Sequence, residues 1–147
     1  SPVGYSPIKN FSIEVYAMGR EIANNASNTD LLVLHGSTDA PTVDVVETGV
    51  GAGTIIDNAS YGDFAGYLEL ATADYTLEIR DESGQTTVAS YGAPLSSLNL
   101  MGTSAVVVAS GFLNPSNNSN GEAFGLFVAL PSGGDLVALP ASKTANF

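Results

Sequence analysis

The chain has 147 residues, enough for one domain with a buried core. It has no cysteine, so disulfides and thiolate metal centres are excluded. Fifteen acidic residues against four basic ones give a net charge of -11, which argues against nucleic acid or an anionic membrane as partner.

No run approaches the roughly 20 apolar residues of a membrane helix. The opening Ser1-Pro2-Val3-Gly4-Tyr5 carries no signal-peptide pattern, so an exported form would have lost its signal or be an excerpt of a longer chain. Residues 1–10 read as a turn-rich arm. Phe11-Ser12-Ile13-Glu14-Val15-Tyr16-Ala17 then alternates, with Phe11, Ile13, Val15 and Ala17 on one face, which predicts a half-buried strand. Residues 19–30 form a polar connector with room for one helical turn at Arg20–Ala23. Further strands are predicted at Leu31–His35, Thr42–Val46, Thr54–Ile56, Gly66–Leu70, Tyr75–Arg80 and Thr86–Tyr91. Between the first two of these lies Gly36-Ser37-Thr38-Asp39-Ala40-Pro41. Asp39 there can bond its own backbone, and Pro41 forces Ala40 into an extended conformation. Asp81-Glu82-Ser83-Gly84 has the length and the glycine of a hairpin loop.

Residues 93–103 read as a crossover whose Leu95, Leu98 and Leu100 cap one end of the core. Ser104–Ala109 is almost wholly apolar and reads as a central strand. Residues 114–121, with four asparagines, are too polar to bury. A last hairpin pairs Phe124–Leu130 with Asp135–Leu139 around Pro131-Ser132-Gly133-Gly134. Many short strands, with no amphipathic helices between them, predict an all-β, immunoglobulin-like Greek-key β-sandwich, with a small barrel as the alternative.

Three signatures run through these strands. The first is His35-Gly36-Ser37-Thr38-Asp39-Ala40-Pro41-Thr42-Val43-Asp44-Val45. The second is Asn58-Ala59-Ser60-Tyr61-Gly62-Asp63 with Gly66-Tyr67-Leu68-Glu69-Leu70, and the third is Asp74-Tyr75-Thr76-Leu77-Glu78-Ile79-Arg80. Together they resemble the DUF4397 family. The resemblance implies a sandwich module of an exported surface protein, of a kind that occurs in tandem, and it implies no reaction. A second similarity lies inside the chain. Phe11–Ala17 resembles Phe124–Leu130, and Ala26-Ser27-Asn28-Thr29 resembles Ala141-Ser142-Lys143-Thr144. The expected division is therefore an arm or preceding-module tail at 1–25, a sandwich at 26–140, and the start of a following module or a tail at 141–147.

Candidate chemistry is sparse. A hydrolytic set of His35, Ser37 and Asp39 lacks the Gly-x-Ser-x-Gly elbow and comes from one turn, so a structural role is expected and no catalytic residue is assigned. Asp39, Asp44 and Asp63, with Asp57 and Glu69, offer oxygen ligands that suit Ca²⁺, although no Asp-x-Asp-x-Asp-Gly loop is present. No other cofactor is expected. Tyr5, Tyr61, Tyr67 and Tyr91 are candidates for a glycan-stacking platform. Asn10, Asn25, Asn58 and Asn117 head Asn-x-Ser tripeptides that glycosylate only in a suitable host.

The function expected from these features is a non-catalytic structural or adhesive module at the cell surface or outside the cell. Its partners would be other copies of the module, joined covalently or as separate subunits, with a glycan as a further candidate. In the separate-subunit form, Phe11, Ile13 and Val15 would carry assembly by adding a strand to a neighbour. A soluble glycan- or Ca²⁺-binding domain is the rival reading.

Overall fold

A computed structural model describes residues 20–143. The expected strand at Phe11–Ala17, and with it Tyr5 and Asn10, lies outside the described residues. Ten strands follow in order: β1 (Asn28–His35), β2 (Val43–Glu47), β3 (Gly53–Ala59), β4 (Phe64–Ala71), β5 (Asp74–Asp81), β6 (Thr87–Pro94), β7 (Ser104–Ser110), β8 (Gly125–Ala129), β9 (Val137–Ala138) and β10 (Ala141–Lys143). They form two five-stranded sheets, β4-β1-β7-β8-β9 and β10-β6-β5-β2-β3. No hydrogen-bonded ladder joins the sheets among the described residues, so the arrangement is an immunoglobulin-like sandwich and not a barrel. Among the described residues, the one parallel strand pair joins β1 to β7, in unbroken register from Asp30↔Ser104 to His35↔Ala109.

The core lies between the sheets, and period-two alternation assigns residues to it. Leu31 of β1, Ala105 and Val107 of β7, and Leu126 and Val128 of β8 meet Val43, Val45, Leu77, Ile79, Ala89 and Tyr91 of the facing sheet. The crossover closes one end, with Leu95 and Leu100 buried and Leu98 packed against them. The hairpin at 81–84 closes as its length predicts, with Gly84 N donating to Asp81 O at 2.8 Å and Gly84 at positive φ. The last hairpin is shorter than the alternation suggests: its second strand is only Val137–Ala138.

Hydrogen bonds carry the packed unit slightly past both expected boundaries. At the N-terminal side, Ala23 N donates to Gly102 O and Ser104 N to Glu21 O, so residues 20–23 run antiparallel beside the start of β7. They are an extended segment and not the helical turn that Arg20–Ala23 allowed. At the C-terminal side, β10 pairs with β6.

The outer faces of the two sheets differ. On β5 and β6 the outward face carries Glu78, Arg80 and Thr87, joined by Arg80 Nη2 to Glu78 Oε1 at 2.7 Å and Thr87 Oγ1 to the same oxygen at 2.8 Å. The outward residues of β1, β7 and β8 are Leu32, Leu34, Val106, Val108 and Phe127. Thus β7 is apolar on both faces, as a strand covered on both sides would be.

Candidate functional site

The first two signatures come together at one end of the sandwich, where β1 leads into β2. Gly36 N donates to Ala109 O at 2.7 Å, and a Cβ at Gly36 would stand 3.0 Å from that oxygen. The chain there is too close to β7 for a side chain. Ser37, fully buried, then donates its hydroxyl to Gly111 O at 2.7 Å. Asp39 accepts from Leu113 N at 2.9 Å through Oδ1, and from Asn114 N at 3.0 Å and Asn118 Nδ2 at 3.3 Å through Oδ2. Burial pushes the Asp39 carboxyl up, but the N–H groups of Asn114 and Leu113 outweigh it and hold the carboxyl below its usual value. One turn thereby fastens the 111–118 loop across the end of the sandwich.

His35 serves the same frame. Its backbone N donates to Asp63 O at 3.0 Å, its carbonyl accepts from Gly62 N at 2.8 Å, and its ring Nε2 donates to Pro41 O at 3.1 Å. The Ser37 hydroxyl is directed at Gly111 and not at His35. The three residues of the imagined hydrolytic set therefore form no Ser–His–Asp relay.

The second signature is also backbone chemistry. Asp63 Oδ2 accepts from Ser60 N at 2.8 Å, Thr42 Oγ1 meets Ser60 Oγ at 2.6 Å, and Asp44 Oδ1 accepts from Asn58 N at 2.8 Å. Asn58 stands at a φ of 55°, a left-handed conformation that asparagine tolerates. The candidate calcium ligands Asp39, Asp44 and Asp63 are thus occupied separately. Among the described residues, no group of three or more His, Asp or Glu side chains converges for a metal. Asp44 does meet one carboxylate: a hydrogen bond from Asp57 and their mutual repulsion hold the Asp57 carboxyl above its usual value. Glu69 faces Arg20 at 3.2 Å and Asn24 at 2.8 Å.

Among the described residues, Tyr61, Tyr67 and Tyr91 do not form one platform. Tyr91 is core, Tyr61 is exposed near the signature turn, and Tyr67 lies under Arg20, whose guanidinium carbon is 4.5 Å from the ring centre. Asn25, Asn58 and Asn117 are exposed, with Asn25 Oδ1 accepting from Ser27 N at 2.9 Å.

Two buried acids escape the sequence reading. Glu47 is 2 % exposed and accepts from the backbone N–H groups of Gly49, Val50, Ala52 and Thr76 at 2.8 to 3.1 Å. Burial pushes its carboxyl up, and these donors outweigh it, Thr76 first, to hold the group below its usual range. The signal was available in Gly49-Val50-Gly51-Ala52-Gly53, a loop flexible enough to fold its amides around a carboxylate. Asp30, fully buried at the other side of the same end, pairs with Arg20 Nη1 at 2.8 Å and accepts from Asn24 N at 3.0 Å. Its partner is ten residues away along an irregular connector, beyond any periodic pattern.

The intersheet space beneath His35, lined by Ala40, Ala59, Ala65 and Phe124 among others, encloses about 40 Å³. Small-molecule pockets run to roughly 300–1,000 Å³. Among the described residues, no helix is long and apolar enough to cross a membrane.

The family model described as "Domain of unknown function (DUF4397)" matches residues 29–118, the span from the start of β1 through the loop that Asp39 holds. No curated protein and no solved structure matches the chain.

Proposed function

The chain belongs to the DUF4397 family, and from that premise we propose that it is a non-catalytic structural module of an exported, cell-surface or extracellular assembly. Its partners are other copies of the same module. The observation that carries this reading is the sheet β4-β1-β7-β8-β9, whose central strands are apolar on both faces while the opposite sheet turns charged residues to water. A sheet face of that kind is stable only when something covers it. The signature residues add support, since His35, Ser37, Asp39 and Asp63 bond the backbone of their own fold and His35, Ser37 and Asp39 form no Ser–His–Asp relay. Within this reading the copies are either modules of one covalent chain or separate subunits joined through Phe11–Ala17.

The test is the mass of the native particle, by light scattering and electron microscopy. A chain of 15.0 kDa found in particles of many copies supports the subunit form, and a far longer polypeptide supports the covalent array. A 15.0 kDa chain that stays monomeric at high concentration overturns both.

A further inference from the structure

Where β7 ends beside the signature turn, a groove of about 330 Å³ opens on the outward side of the sheet. Small-molecule sites begin at roughly that size, about 300 Å³. Gly36 and Gly111 bring no side chain to it and Ser110 brings a short one, so the lining is low there. Phe112 and Phe127 bring aromatic rings to the same space. Two glycines set those rings. Phe127 leans over Gly125, where a Cβ would lie 3.3 Å from the ring carbons. Phe112 lies against Gly121, where a Cβ would come within 2.6 Å of the ring. The Phe112 backbone is fastened too, its N donating to Glu122 O at 2.8 Å and its O accepting from Phe124 N at 2.9 Å. Both phenylalanines are half-buried, so each is held by the fold without being covered by it.

Three polar side chains reach the same groove: Thr38, Ser110 and Glu122. Among the described residues, none of the three makes a side-chain hydrogen bond or ion pair. Their neighbours Ser37 and Asp39 are fully engaged by the fold. Two hydroxyls and a carboxylate beside two rings sort the possible occupants. A peptide adding as a strand has no ladder to join, since Ser110 already pairs with Gly125 and Phe112 with Ala123. A hydrocarbon chain would cover the rings but dehydrate the carboxylate with no donor in return. An anion would meet Glu122, the one charged side chain of the lining, on a chain of net charge -11. Residues 83–121 carry no charged side chain, so β7 and its flanking loops supply no cation to offset it. A quaternary ammonium would use the rings and Glu122 and leave both hydroxyls without a role. A neutral pyranose uses every group: its C–H face covers a ring, and its hydroxyls bond Glu122, Thr38 and Ser110.

We propose that this groove binds a neutral saccharide. Phe112 and Phe127 carry the sugar ring, Glu122 accepts from its hydroxyls, and Thr38 and Ser110 fix its orientation. The site is built from phenylalanines held on glycines, away from Tyr61, Tyr67 and Tyr91. It gives the module a ligand and does not depend on how copies of the module join.

Amide NMR titration of the full chain tests it, with cellopentaose, maltopentaose and mannopentaose as the neutral probes. Tetragalacturonate serves as the anionic counterpart and tetramethylammonium as the cationic one. At least one neutral probe is expected to shift amides within 36–38, 110–112 and 122–127 and to leave the 81–84 hairpin unmoved. Glu122→Gln is expected to weaken that probe by roughly ten- to a hundredfold, and Thr38→Val by roughly two- to tenfold. Both positions are exposed, so the fold does not need them, and melting checks this. Phe127→Leu keeps an apolar side chain over Gly125 and removes the ring, and it should weaken binding as well; if it does not fold, the other two variants decide. No shift at these amides with any neutral probe overturns the site. Equal or tighter binding of tetragalacturonate or tetramethylammonium overturns the saccharide as its occupant. Affinity unchanged in both Glu122→Gln and Thr38→Val puts the sugar elsewhere and overturns the assignment. Each of these results leaves the assembly reading where it stands.

Discussion

Glu47 is where a single substitution should be felt most. Its carboxylate is buried and collects four backbone N–H groups, of which Thr76 N belongs to β5 and the others to the exposed loop 49–52. In Glu47→Ala the Thr76 amide loses a charge-assisted bond of about 1.5–3 kcal/mol, while the loop amides rehydrate and lose about 0.5 kcal/mol each. Removing a buried ion also recovers part of its desolvation cost, so the net destabilisation is about 2–4 kcal/mol. At about 2–4 °C per kcal/mol for a chain of this size, the melting temperature should fall by roughly 4–16 °C. Glu47→Gln keeps the shape but points an amide donor at other donors, and it should fall almost as far. The pH dependence supplies the sign. The folded carboxyl lies below its ordinary value of 4.5, so its contribution is fully present above that value and is lost as the pH falls through the folded value. Urea midpoints of wild type and Glu47→Gln should therefore differ at pH 7 and converge as the pH falls below about 4.5. Equal midpoints at pH 7, or a gap that persists unchanged into acid, would refute the cradle as a stabilising element.

Two further outcomes follow from the signature end. Gly111 stands at a φ of 88° against the carbonyl of Ala123, and its own carbonyl receives Ser37; Gly111→Ala should destabilise by about 2–4 kcal/mol in urea melts, from backbone strain and displacement together. Because Asp39, Asp44 and Asp63 are each held by different backbone groups, EDTA should leave the melting temperature within about 1 °C, whereas a metal bound at 100 times its dissociation constant would contribute about 2.7 kcal/mol; a drop of several degrees restored by Ca²⁺ alone would reverse that expectation.

What was legible in the sequence followed from local rules. Alternation placed β5, whose Tyr75, Leu77 and Ile79 are core, and the apolar run found β7 at the centre of its sheet. Gly84 and Pro41 marked turns because each restricts or releases one φ. The boundaries slipped where pairing depends on distant partners. β1 begins at Asn28, three residues before its apolar run, because Thr29 and Asp30 are extended by Leu70 and Glu69 across the ladder and by the start of β7. β6 continues to Pro94 because β5 offers Asp74 opposite it. For the site, local rules recognised Asp39 as a turn-former but not what it holds, since Leu113 and Asn114 lie 74 and 75 residues away. No local pattern discloses the burial of Glu47 and Asp30, because burial of a charge is decided by which amides or cations the fold brings to it.

The motif that identifies the family therefore directs most of its side-chain oxygens at its own fold. Ser37, Asp39, Asp44 and Asp63 all direct oxygens at peptide groups of their own module, and a turn that needs such donors and acceptors at fixed offsets constrains its residues without any substrate. A recognition surface has to be sought where side chains are chosen against the requirements of an isolated fold. An isolated sandwich needs one apolar face per sheet, and the central strands of the β4-β1-β7-β8-β9 sheet have two. Replacing Val106 or Val108 by Thr would make that face look like its charged counterpart at little cost to the intersheet core, since both point away from it. Valine at both positions is intelligible when that face is covered.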